Sequence, residues 1–99
     1  MVPGPFPFSV DSVSWLTAAS ELHTVRRAVF IAEQGVPEEL EWDDQDVVAS
    51  HVLARSSDGR PIGTGRLKPD CYVGRMAVLK SWRGHGVGGA ILKRLLDVA

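Results

Sequence analysis

The stretch Trp82–Leu96, WRGHGVGGAILKRLL, decides the fold. Four of its first eight residues are glycine, an arginine stands ahead of them, and an apolar helix pattern follows at once. A plain turn needs one glycine or two. A glycine-rich loop that leaves a strand and opens into a helix is a recurrent anion site. The first amides of a helix have no partner within it, and the helix dipole favours negative charge there. Glycines let a phosphate approach the backbone with no Cβ in the way, and Arg83 adds a fixed charge with forked donors. Two familiar phosphate motifs do not fit. Gly84 and Gly89 have the P-loop spacing, but Ala90 and Ile91 stand where its lysine and hydroxyl belong. Gly84, Gly86 and Gly89 match G-x-G-x-x-G, but the strands ahead of the loop read as antiparallel, which is wrong for a dinucleotide unit.

Upstream, the pattern predicts strand, helix, acidic connection, hairpin and a long strand. Phe8–Ser14 reads as a strand, with Ser14 as the N-cap of a helix. Ala18, Leu22, Val25, Val29 and Ala32 form one face of that helix, and Gly35 and Pro37 stop it. PEELEWDDQD, residues 37–46, is an acidic connection with room for one helical turn. Residues 47–54 alternate, with Ala49, His51 and Leu53 on one side and Ser50, Val52 and Ala54 on the other. Asp58-Gly59 tips a hairpin, and residues 62–67 return. Gly63 and Gly65 fall on one face of that strand, so something packs close there. Residues 72–79 are nearly apolar and read as a central strand. The last helix runs from about Gly86, with Lys93, Arg94 and Asp97 as a narrow polar face. Its apolar remainder (Val87, Ile91, Leu92, Leu95, Leu96, Val98) is expected to be buried against a sheet.

The chain has 99 residues, 44% hydrophobic and 23% charged, which suits one small globular domain over residues 1–99. A net charge of −1 gives no support for a nucleic-acid partner. No apolar run approaches the roughly 18 residues of a membrane helix, so no membrane partner is expected. The single cysteine, Cys71, forms no internal disulfide, which fits a reducing, cytoplasmic setting. MVPGPFPFSV has three prolines and no basic leader, and its first seven residues read as a flexible lead-in. Trp15, Trp42 and Trp82 are expected to be packing anchors.

Arg83, Gly84, His85, Gly86, Val87 and Gly88 spell R-G-x-G-[VI]-G, a short distance after GRMAVL. This resembles the coenzyme A loop of the GNAT superfamily of N-acetyltransferases. RRAVFIAEQGVP, HVLAR, PIGTGRL and GRMAVL resemble further segments of bacterial members, so the likeness covers nearly the whole chain after residue 8. The resemblance implies an α/β fold with a mixed, mainly antiparallel sheet and helices on both faces. It also implies acetyl transfer from acetyl-CoA, the co-substrate, to a small-molecule or protein amine, with no acyl-enzyme and no metal. The pantetheine arm is then expected along the backbone of Met76, Ala77 and Val78. A bulge in that strand would aim an N–H at the thioester oxygen. The pyrophosphate is expected on the amides of Gly84, His85, Gly86, Val87, Gly88 and Gly89, beside Arg83.

The general base is less defined. Many family members carry a glutamate on the long strand, near where Gly74 and Arg75 stand here, and this chain has no acid there. Glu33 at the helix end and His51 are the candidates. A solvated carboxylate and a structural histidine are the plainer readings of the same two residues. The acidic residues Glu38, Glu39, Glu41, Asp43, Asp44 and Asp46 either attract a cationic amine or form a solvated loop. They lack the glycine and terminal glutamate of a calcium loop. The family's full fold adds strands and a helix beyond the last helix read here. The 99 residues are therefore expected to be an incomplete domain, completed by a missing C-terminal segment or by pairing as a homodimer. A CoA-binding module without turnover is the alternative function.

Overall fold

A computed structural model of the chain describes residues 7–41 and 43–98. The lead-in over residues 1–6 and the packing role expected of Trp42 lie outside the described residues. Strand β1 (Phe8–Val13) leads into helix α1 (Trp15–Arg26), capped as expected by Ser14, whose side chain accepts from the Thr17 amide. The helix continues as π-helix over Arg27–Glu33. A four-residue helix α2 (Glu38–Glu41), strands β2 (Ser50–Ser56), β3 (Pro61–Leu67) and β4 (Val73–Val78), a 3-10 turn (Lys80–Trp82) and helix α3 (Val87–Val98) follow.

The four strands form one sheet in the order β1-β2-β3-β4, and every pair is antiparallel. Its two faces are covered by different helices, and the alternation along β2 explains why. Val52 and Ala54 join Ile62, Leu67, Trp82 and the α3 residues Val87, Ile91 and Leu95 in one core. Leu53, on the opposite face, packs on Ala18 and Leu22 of α1. Each fully buried leucine contributes roughly 1.5–3 kcal/mol. Gly63 and Gly65 are the contact surface for α3: a Cβ at Gly65 would lie 2.6 Å from Ile91 Cγ2 and 2.8 Å from Leu95 Cδ1. The α/β fold with helices on both faces of an antiparallel sheet is therefore present.

Four local expectations change. Ala32 is exposed, because the wider π-helical turn rotates it off the Val25–Val29 face. Val47 and Val48 lie in a turn and are exposed, so β2 starts at Ser50. β4 is, with β1, an outer strand of the four described, and β2 and β3 hold the centre. Finally, α3 buries one face alone, leaving Leu92, Leu96 and Val98 exposed at 41%, 61% and 42%.

The largest correction concerns the acidic connection. Glu41 and Asp46 are not solvated but 2% exposed. Arg26 of α1, itself buried, donates from Nε to Glu41 Oε1 at 2.9 Å and from Nη2 to Glu41 Oε2 at 3.0 Å. It also donates from Nη1 and Nη2 to the two Asp46 oxygens at 3.0 and 3.1 Å. Arg66 of β3 reaches Asp43 at 2.8 Å and Asp46 at 3.0 Å. Opposite charges fixed in hydrogen-bonding geometry are the condition under which buried ions are tolerated. The connection is thus clamped between α1 and the sheet.

Candidate active site

The segment from β4 to α3 builds the candidate anion site. Leaving β4, the 3-10 turn buries Trp82 in the α3-side core, and its ring and that of His85 meet in a T-shaped contact at 6.2 Å between centroids. Gly84 and Gly86 then adopt φ of +83° and +84°. Side-chain-bearing residues resist that region, which is why glycines occupy these two positions. The first bond of α3 runs from Ala90 N to Gly86 O, at 3.1 Å. The amides of the turn ahead of Ala90 thus have no carbonyl inside the helix to bond. A Cβ added at Gly84, Gly86 or Gly89 would meet nothing within 4 Å, so that face of the loop is open to a ligand.

Arg83 is held in place. Its Nε donates to Val78 O at 3.0 Å, and its two Nη atoms donate to the Glu33 carboxylate, both at 2.6 Å. Two residues expected to play separate parts are therefore a forked pair joining the glycine loop to the end of the first helix. The Arg83 guanidinium hydrogen-bonded to Glu33 holds its carboxyl below the usual range. A carboxylate so placed is a weaker base than a free one.

The strand expected to hold the cofactor arm is bulged. Thr64 pairs with Ala77 and Arg66 with Gly74, so Arg75 and Met76 together oppose Gly65. Arg75 sits at φ +48°, and its carbonyl accepts from Thr64 Oγ1 at 3.0 Å. Sequence reasoning anticipated a bulge here but not these two residues. Nothing about an arginine signals a left-handed backbone. Beside the bulge, a cleft of about 230 Å³ is lined by Phe30, Val36, Leu40, Glu41, Arg75 and Met76.

His51 does not join this cleft. It is 2% exposed, lies against Trp15 with 5.1 Å between ring centroids and the planes tilted by 32°, and holds Asp46 O at 2.7 Å through Nε2. A carbonyl can only accept, so Nε2 carries the proton. Burial pushes the ring below its ordinary value, which keeps it neutral. Cys71 is exposed in the turn before β4. Among the described residues no group of three or more His, Cys, Asp or Glu side chains is placed to hold a metal ion. No helix among them is long and apolar enough to cross a membrane.

Comparison with known proteins agrees with this geometry. The family described as "Acetyltransferase (GNAT) family" matches residues 15–99. "Uncharacterized N-acetyltransferase YjcF" of Bacillus subtilis is 42% identical over 78 residues, covering 76% of this chain and 55% of that protein. "Uncharacterized protein YyaT" of the same organism is 31% identical over 96 residues, covering 88% and 64%. The crystal structure of an acyl-CoA N-acyltransferase from Pseudomonas aeruginosa superposes with a TM-score of 0.75 at 27% identity, covering 95% of this chain and 68% of that one. The chain thus spans between about half and two thirds of the length of these curated relatives. With the family matched over residues 15–99 and the bulged strand, glycine turn and helix in place, the chain belongs to the GNAT family of acetyltransferases.

Proposed function

We propose that this chain carries the cofactor half of an N-acetyltransferase that passes an acetyl group from acetyl-CoA directly to a primary amine. One observation carries the reading. An open glycine turn on a helix N-terminus and a bulged strand lie on a single segment, from β4 to α3, beside a cleft. The donor set suits an anionic cofactor: the glycine turn is open at Gly84, Gly86 and Gly89, it leads into a helix N-terminus, and Arg83 adjoins it in sequence. When bound, acetyl-CoA supplies the activated acyl group. The chain's own part is to hold and orient. The backbone of Met76, Ala77 and Val78 would receive the pantetheine arm as an added strand. An amide turned out by the bulge would donate to the developing oxyanion.

Deprotonation of the amine is the open step in this chain. Glu33 is engaged by Arg83, and His51 is buried on β2 with its Nε2–H donated to the Asp46 main-chain carbonyl. β4 carries no carboxylate in its sequence VGRMAV. That set of observations favours the second reading, a CoA-binding module that needs further residues for turnover. A thiol-release assay with a panel of small and peptidic amines, run beside calorimetry with acetyl-CoA, separates the two. Release that depends on an amine supports transfer. Binding without release from any amine supports the module, and absence of binding refutes both.

A further inference from the structure

We propose that Arg75 is a positioning residue, tethered to the acidic connection so that the β4 bulge keeps its shape. The proposal rests on the acyl-transfer reading above. Three observations meet at this residue. First, Arg75 has φ +48° without being glycine, a conformation that a Cβ resists and that persists where the surroundings impose it. Second, those surroundings are present. Arg75 Nη2 donates to Leu40 O at 3.4 Å, Glu41 O at 3.3 Å and Asp43 Oδ2 at 3.2 Å. Its Nε lies 3.2 Å from Glu41 Oε1, an ion-pair distance without hydrogen-bond geometry. From the other side, the Thr64 hydroxyl holds its carbonyl. Third, the anchor is itself held by ion pairs. Glu41 and Asp43 belong to the network that Arg26 and Arg66 lock between α1 and β3. Three guanidinium groups (Arg26, Arg66, Arg75) and three carboxylates (Glu41, Asp43, Asp46) balance one another there.

The consequence is that the acidic connection acts on the reaction through β4. It fixes the angle at which the bulge of Arg75 and Met76 leaves the ladder ahead of the Ala77 pair, and it forms one wall of the cleft through Leu40 and Glu41. Glu41 and Asp43, the carboxylates that reach Arg75, are committed to arginines rather than free to attract an acceptor.

Four variants test this: Arg75→Ala, Arg75→Gly, Arg75→Lys and Thr64→Val. Each is measured for acetyl-CoA affinity, for kcat with the best amine of the panel, and for the backbone amide NMR shifts of Met76 and Ala77 with CoA and with acetyl-CoA. Misplacing a donor costs rate more than affinity. Arg75→Ala and Arg75→Gly should lose at least about tenfold in kcat while the acetyl-CoA Kd moves by less than about threefold. Arg75→Lys should recover part of the loss, and Thr64→Val should move the same two amides. In the wild type these amides should differ between CoA and acetyl-CoA, and in Arg75→Ala that difference should vanish. Arg75→Gly keeps the backbone freedom but not the tether, so wild-type kcat or shifts in that variant overturn the tether. Unchanged kcat and shifts in Arg75→Ala overturn the proposal alone. A wild type that binds no CoA overturns the acyl-transfer reading, and the proposal with it.

Discussion

Asp46→Asn removes one charge from the most constrained part of the molecule. Asp46 is 2% exposed and receives two hydrogen bonds from Arg26 and one from Arg66. Asparagine keeps the shape but turns an amide donor toward guanidinium donors, so at least one of these bonds is lost and a buried cation is left undercompensated. Breaking a buried pair from one side costs roughly 3–5 kcal/mol. Natural domains hold only about 5–15 kcal/mol in total. For a domain of this size each kcal/mol moves Tm by about 4–8 °C, so Tm should fall by about 12 °C or more. Urea titration followed by tryptophan fluorescence and far-UV circular dichroism measures the loss. Glu38→Gln is the control, because the Arg27–Glu38 pair has the same chemistry but side chains about half exposed, at 52% and 51%. Exposed pairs contribute about 1 kcal/mol or less. Asp43→Asn, at a carboxylate 31% exposed, should fall between the two and gives a measurable value if Asp46→Asn does not fold. Equal losses in Asp46→Asn and Glu38→Gln would refute the buried-network account.

Further outcomes follow from the packing and the charges. Gly65→Ala should destabilise by about 1–3 kcal/mol through overpacking against Ile91 and Leu95, read in the same urea titration; a neutral effect would mean α3 does not lie on that strand. Burial holds His51 below its ordinary pKa of about 6.5, so its share of stability is complete above that value and is lost as pH falls through the folded value. Tm should therefore decline as pH falls below about 6.5, and less steeply in His51→Gln; an unchanged slope in that variant would show that His51 is not the titrating group. His23, also held down by burial, supplies a remaining slope. Glu33→Gln releases the Arg83 guanidinium and should tighten acetyl-CoA binding, the more so at low salt. Unchanged affinity by calorimetry would remove Arg83 from the anion site.

The elements that read well from sequence were those fixed by local rules. Ser14 caps α1, alternation on β2 sends Val52 and Leu53 to opposite helices, and the glycines of β3 mark where α3 packs. The glycine loop was legible because φ near +84° leaves its mark on residue choice. What stayed hidden depends on long-range pairing. Glu41 and Asp46 look like solvent-facing acids until Arg26, 15 and 20 residues away, is placed beside them. The π-helical stretch that exposes Ala32 has no composition of its own. Arg75 carries no sequence sign of its left-handed backbone, because contacts with Leu40, Glu41, Asp43 and Thr64 impose it. The forked bond between Glu33 and Arg83 spans 50 residues, so the two parts read separately in the sequence turned out to be one.

The central claim is that the turn from β4 to α3 holds the anionic end of an acyl-CoA. Titrating the isotopically labelled chain with CoA and following every backbone amide by NMR tests it most directly. The account predicts saturable shifts concentrated at Arg83–Gly89, with a second set at Met76–Val78 along the bulged strand. Shifts absent at millimolar CoA, or confined to residues away from these two segments, would contradict it.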